Sequence, residues 1–236
     1  MNRYRLGLLL VFAAVWIWAA FRPLHPDDWL LENLLVFLFV PLIVFSGRYF
    51  RLSEASYTLL ALFTCLHLIG SHYTYAEVPF GITLQRWFDA DRNMYDRLVH
   101  FAFGLLMAYP VREIFLRVAR VKGFWGFYLP LDVTLSFSAI YEIVEWLVAA
   151  RVNPQAGLAF LGTQGDIWDA QKDMLAAATG ALLAMLGVAL LSWKRNPEFT
   201  AEFRSSFRLH PAELPADERV LGPAIDSPDK PRPKRR

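Results

Sequence analysis

Met174–Trp193, MLAAATGALLAMLGVALLSW, runs without a single charged residue. A helix rises about 1.5 Å per residue, so a stretch of this length matches the roughly 30 Å hydrocarbon core of a bilayer. Reading outward from it, five further apolar blocks come close to the same length. They are Leu6 to Phe21, Trp29 to Ser46, Ala55 to Tyr73, Asp96 to Leu116 and Asp132 to Ala150. The pattern predicts an all-α, polytopic membrane helix bundle with six transmembrane helices.

Composition agrees with that reading. Of 236 residues, 56% are hydrophobic and only 19% charged, and the chain carries 8 Trp and 19 Phe. A soluble domain of this size carries more charge and less aromatic bulk. The net charge of +2 gives no electrostatic footprint for nucleic acid. The single cysteine, Cys65, excludes an internal disulfide and any multi-thiolate metal site. Met1 to Arg5 followed by an apolar run has the start of a signal peptide, yet no small-x-small cleavage site follows. The segment reads as an uncleaved first span.

Loop charge sets the expected orientation. With the N-terminus inside, the inner segments hold Arg3, Arg5, Arg48, Arg51, Arg112, Arg117, Arg120, Lys122, Lys194 and Arg195. The outer ones hold Arg22, Arg86, Arg92, Arg97, Arg151 and Lys172. The positive-inside bias predicts both ends in the cytoplasm, N-in/C-in. Two domains follow: a six-span unit, 1–194, and a cytoplasmic tail, 195–236, rich in proline and charge and expected to be disordered. The outer connection from Thr74 to Tyr95 mixes Trp87 and Phe88 with charges and predicts a short interfacial helix. Asp132, beside Pro130, reads as a helix-start residue. In the last span Ala176, Gly180 and Ala184 recur at intervals of four, a stripe that lets another helix approach closely.

Ionisable residues in or beside the spans carry what chemistry the chain has. Asp96 and His100 are four apart and share a helix face. Glu142 and Glu145 are three apart; Asp166, Asp169 and Asp173 stand at three and then four. His67 and His72 lie near the end of the third span. Alternating spans bring the end of the third, the start of the fourth, the end of the fifth and the start of the sixth to one outer face.

Carboxylates at membrane depth cost about 2.5–3.5 kcal/mol each unless they face a cavity, a partner or an ion. With only Arg97, Arg151 and Lys172 counted nearby, these acids would repel one another. A divalent cation would relieve the repulsion: Zn, Mn or Fe if imidazole takes part, Mg or Ca if carboxylates act alone. The candidate metal ligands are Asp96, His100, Glu142, Glu145, Asp166, Asp169 and Asp173, with His67 a further option. Asp96, His100, Glu142 and Glu145 are the candidate acid–base groups. His25 and His210 look incidental, and His72 reads as interfacial rather than as a ligand.

Three strings carry a family likeness: Tyr95-Asp-Arg-Leu-Val-His-Phe101, Ser138-Ala-Ile-Tyr-Glu-Ile-Val-Glu-Trp146 and Gly162-Thr-Gln-Gly-Asp-Ile-Trp-Asp-Ala-Gln-Lys-Asp-Met174. On them the chain resembles the YjdF family of bacterial inner-membrane proteins over nearly all of its length to Trp193. The order Asp-x-x-x-His, then Glu, then Asp before a small-residue span is distantly similar to the VanZ-like proteins. The resemblance implies a bacterial inner-membrane location and no reaction.

Three functions stay open. The chain is an envelope enzyme acting on a lipid or lipid-linked head group, an ion- or proton-coupled transporter, or a non-enzymatic scaffold or accessory protein. In each case its immediate partner is the lipid bilayer.

Overall fold

The structure, a computed structural model, describes residues 2–152, 157 and 160–208. Among them the chain is entirely helical: α1 (Arg3–Ala20), α2 (Pro26–Ser46), α3 (Glu54–Tyr73), α4 (Pro79–Trp87), α5 (Tyr95–Arg117), α6 (Trp125–Ala149), α7 (Asp169–Arg195) and α8 (Phe199–Ser205).

Local chemistry starts and stops these helices. The Asn2 side chain accepts from the Arg5 N–H to cap α1. Pro26 opens α2 at a position where its missing N–H costs nothing, with Asp27 and Asp28 in the first turn. Ser53 caps α3, which ends on Thr74 in the left-handed region at φ 55°.

Five helices, α1, α2, α5, α6 and α7, are long and apolar enough to cross a membrane. Their outward faces carry large exposed hydrophobics such as Leu10, Ile17, Leu38, Leu42, Ile140 and Leu190. In water that surface would be an aggregation liability; in lipid it is the solvated face. α3 spans 20 residues, but His67, Ser71 and His72 leave it less apolar than the other five.

Contacts fix the relative directions. At one end Asn2 donates to Glu54 (2.7 Å) and Arg5 to the Leu52 carbonyl (3.2 Å). At the other, His72 Nδ1 lies 3.0 Å from the Ala19 carbonyl. So α1 and α3 run side by side in the same direction, matched at both ends. Ser53 and Ser56, at the start of α3, meet Glu113 near the end of α5, so those two run oppositely.

The tightest packing is between α5 and α7, which are parallel. A Cβ on Gly104 would sit 1.8 Å from the Ala177 carbonyl oxygen, and one on Gly180 would sit 2.1 Å from that of Phe101. Both positions demand glycine because backbone meets backbone. The buried stripe on α7 is Asp173, Ala177, Gly180, Ala181 and Met185. It shares Gly180 with the expected Ala176, Gly180, Ala184 stripe, and it has an aspartate at its N-terminal end. α6 closes the group antiparallel, with Phe127 and Leu131 packed on Ala108, Ala181 and Met185.

Two details differ from the sequence reading. α6 begins at Trp125 and runs through Pro130, so Asp132 lies in its second turn and is exposed rather than at a helix start. Thr134 donates back to the Pro130 carbonyl at 2.7 Å, the i to i−4 bond by which a buried threonine hydroxyl is satisfied inside a helix. The connection from Thr74 to Tyr95 does contain a helix, α4, with Phe80, Ile82 and Trp87 exposed. At the C-terminal side, α8 docks by aromatic contact, Phe199 on Phe127 (5.8 Å) and Phe203 on Phe124 (5.6 Å between centroids). The rest of the tail expected to be disordered, 209–236, lies outside the described residues, as do 153–156, 158 and 159 in the connection from α6 to α7.

Candidate functional site

The first turns of α5 and α7 lie side by side because Gly104 and Gly180 let their backbones touch one to three turns further in. Asp96, Arg97 and His100 on α5 are thereby set against Asp169 and Asp173 on α7. Both aspartate-bearing helix starts also place negative charge where the helix dipole favours it.

Two arginines organise the acids. Arg97 donates to Asp173, to Asp169 (2.7 Å), to Asp166 (3.2 Å) and to the Asp169 carbonyl (3.0 Å). Arg92, only 8% exposed, donates to Asp169, to Asp96 (3.5 Å) and to the carbonyls of Gly162 (3.0 Å) and Thr163 (3.2 Å). A reciprocal pair holds that loop: the Asn93 N–H donates to Gln164 Oε1 (2.9 Å) and Gln164 Nε2 donates to the Asn93 carbonyl (3.3 Å). Asp166 lies at the rim, where Lys172 donates to it at 2.7 Å and the Trp168 N–H at 3.0 Å. The Lys172 hydrogen bond, with the Trp168 N–H, holds its carboxyl below the usual carboxylate range.

Beside this neutralised half is a second group with unspent capacity. Asp96, His100 and Asp173 each offer one donor atom, and these atoms all lie within 4.8 Å of one another. His100 Nε2 is 3.6 Å from Asp96 Oδ1 and 3.5 Å from Glu142 Oε1. Asp173 Oδ1 and Glu142 Oε1 are buried with no hydrogen-bond partner. A buried oxygen left unpaired costs about 1–3 kcal/mol, more when charged, so each of these calls for a partner: a proton, a water or an ion.

Behind His100 lies a further layer. Tyr141 is 5.9 Å from the His100 ring, centroid to centroid, and donates to Glu32 Oε2 at 3.3 Å. His67 uses both ring nitrogens: Nε2 sits 3.1 Å from the Glu32 carbonyl and Nδ1 2.5 Å from the Tyr75 hydroxyl. Burial pushes that hydroxyl well above the ordinary tyrosine range. Glu145, with Glu142, Asp166 and Asp169, lines an open cavity of about 370 Å³ where α6 ends and α7 begins.

The sequence-derived candidates thus divide. Asp96, His100, Asp173 and Glu142 converge with free donor atoms. Asp166 and Asp169 converge too, but arginine and lysine already hold them. Glu145 lines the cavity. His67 stands one layer back with no ring nitrogen to spare. His72 stacks on Trp18 with 4.5 Å between centroids, an interfacial arrangement.

In the sequence Arg92 reads only as a loop charge, and nothing singles out Glu32, Tyr75 or Tyr141. Spacing along α5 offers a clue for the first, since Arg92 stands four before Asp96. Nothing local marks Glu32, whose Tyr141 partner is 109 residues away.

Comparison with known proteins supports the same frame. The family described as Predicted membrane protein (DUF2238) matches residues 4–194. "Inner membrane protein YjdF" of Escherichia coli (strain K12) is 41% identical over 162 residues, 68% of this chain and 77% of that protein. No solved structure matches. The chain belongs to the DUF2238 family of membrane proteins and is a multi-pass inner-membrane protein related to YjdF.

Proposed function

We propose that this chain is an inner-membrane enzyme that binds one divalent cation at the outer end of its bundle and acts there on the head group of a lipid or lipid-linked molecule. The observation that carries this reading is the meeting of Asp96, His100 and Asp173 donor atoms within 4.8 Å of one another, beside buried, unpartnered oxygens of Asp173 and Glu142. Three protein ligands with space for a fourth is the arrangement of catalytic rather than structural sites. One imidazole with carboxylates suits Zn, Mn or Fe.

In this reading Asp96, His100 and Asp173 hold the ion, which polarises a bound oxygen when present. Glu142, facing the same space, takes or returns a proton. Arg97 is a positioning residue: it fixes Asp173 by one oxygen and leaves the other for the metal.

The outer location follows from a six-span, N-in/C-in topology. That topology is supported by the matched ends of α1 and α3, since a helix running beside a span from end to end crosses with it. The loop-charge bias supports the orientation.

Elemental analysis of the purified protein tests the proposal. About one divalent ion per chain is expected, with loss in His100→Ala and Asp173→Asn and retention in His72→Ala. Wild-type protein without metal after metal-replete expression and chelator-free purification contradicts it. The scaffold reading draws on the Arg92 and Arg97 ion pairs. It predicts that these variants change abundance and leave any metal content as in wild type.

A further inference from the structure

The cavity beside the site lies where α6 ends and α7 begins. In their inner halves α6 and α7 pack closely through Phe127, Leu131, Ala184 and Val188. Near their outer ends lies the cavity of about 370 Å³, with Glu142, Glu145 and Trp146 of α6 on one wall, Asp169 and Ala170 of α7 on the other, and Leu161, Gly165 and Ile167 of the connecting loop completing it. Its edges bear exposed apolar side chains: Trp146 at 62%, Ile167 at 85% and Trp168 at 58%. Tryptophans so placed mark the level of lipid head groups.

The charges inside the cavity are asymmetric. Asp166 and Asp169 are matched by Lys172, Arg92 and Arg97. Glu145 has no ion-pair partner among the described residues, and its neighbour Glu142 meets only His100. An occupant that leaves an apolar tail in the bilayer and brings a positive charge to Glu145 completes the site.

We propose that the gap between the outer halves of α6 and α7 is a lateral portal through which a membrane lipid bearing a primary ammonium head group enters from the outer leaflet, its ammonium pairing with Glu145. This rests on the outer-face site proposed above and names the substrate class of that site. The apolar tail stays between the α6 and α7 surfaces, and the head group reaches the space in front of Asp96, His100 and Asp173.

Native mass spectrometry of the full chain, released from nanodiscs of equal phosphatidylethanolamine and phosphatidylglycerol, reads bound lipid and bound metal in one spectrum. Wild type is expected to retain the ethanolamine lipid about tenfold over the glycerol lipid, equivalent to about 1.4 kcal/mol. Glu145→Gln brings the ratio near one, and Ala170→Phe, which fills the gap, removes both adducts. Ile167→Arg, at a position with nothing to pack against, lowers the ethanolamine adduct even if Ala170→Phe fails to fold.

Equal retention of the two lipids by wild type, or an unchanged ratio in Glu145→Gln, overturns the inference. So does binding of free ethanolamine that displaces the lipid at comparable concentration, which would make the ligand a water-borne amine. Lipid preference without metal mass refutes the metal reading alone; metal mass without lipid preference refutes the portal alone.

Discussion

Two buried carboxylate clusters sit at opposite ends of the same bundle, and they are built differently. At one end Glu113 accepts from the Ser53 N–H (2.8 and 3.0 Å), the Ser53 hydroxyl (2.8 Å), the Ser56 hydroxyl (2.5 Å) and Arg117 (2.5 Å). Each of its oxygens is engaged, and the bonds tie the start of α3 to the end of α5. At the other end Asp173 spends one oxygen on Arg97 and leaves the other buried without a hydrogen bond, and Glu142 Oε1 has only His100 Nε2, 3.5 Å away. The first cluster does nothing more than hold helices. The second has capacity left for a ligand. Saturation of donors and acceptors, rather than burial or charge count, separates a brace from a site.

Substitutions can break or sharpen that contrast. The largest effect is expected outside both clusters, at the contact that assembles the outer one. Gly180→Leu places a side chain where the Phe101 carbonyl already stands. Because helix backbone has to separate here, the cost is expected to exceed both the about 1–3 kcal/mol typical of side-chain overpacking and the about 3–5 kcal/mol of breaking a buried ion pair. Yield of monodisperse protein should fall sharply and metal binding with it; normal yield with normal metal content would show that α5 and α7 need not touch.

Next comes Arg97→Ala. Removing one partner from a buried ion pair costs about 3–5 kcal/mol, and here three aspartates lose the same cation. Thermal unfolding in detergent should show a lower midpoint, and added divalent cation should restore part of it. Full stability without any cation would remove Arg97 from the account.

Glu113→Gln is expected to be milder. It keeps the shape and one acceptor oxygen but loses the charge that strengthens bonds to Ser53, Ser56 and Arg117, for a cost of about 1–3 kcal/mol. Metal content should not change. A drop in metal without a drop in stability would mean the two ends are not independent.

The smallest effect belongs to Asp166→Asn at the rim. The Lys172 hydrogen bond keeps the Asp166 carboxyl below its ordinary range. Its contribution is therefore present above the unfolded carboxylate pKa and is lost as pH falls through the lowered folded value. The variant should differ from wild type only slightly at neutral pH and should show a weaker acid-induced loss of stability. A large difference at neutral pH would instead give Asp166 a role beyond this surface pair.

Much of the bundle was legible in the chain because the bilayer writes length and apolarity into it directly. Five helices meet that standard outright. α3 was legible as a block, yet its polar residues serve neighbours: His67 bonds the Glu32 backbone and Tyr75, and His72 bonds the Ala19 backbone. Apolarity alone therefore understates it, and its alignment with α1 has to come from coordinates.

The site was legible as a set of acids around one imidazole, through the spacing of Asp96 and His100 and of Asp166, Asp169 and Asp173. What spacing could not supply was the division of labour within that set. The expected repulsion among the acids is largely met by Arg92 and Arg97. Arg92 looked like a loop charge because its partners, the Gly162 and Thr163 carbonyls and Asp169, are 70 or more residues away. Glu32 escaped for the same reason: only folding brings α2 to Tyr141 on α6. Pairing across helices leaves no periodic trace in a single sequence.

A titration of metal-free protein with Zn or Mn, run in parallel on wild type, Glu113→Gln and Asp173→Asn and read by calorimetry, measures the contrast between the two ends directly. The account predicts one saturable ion per chain for wild type and Glu113→Gln and none for Asp173→Asn. Identical isotherms for all three, whether binding or flat, would contradict it.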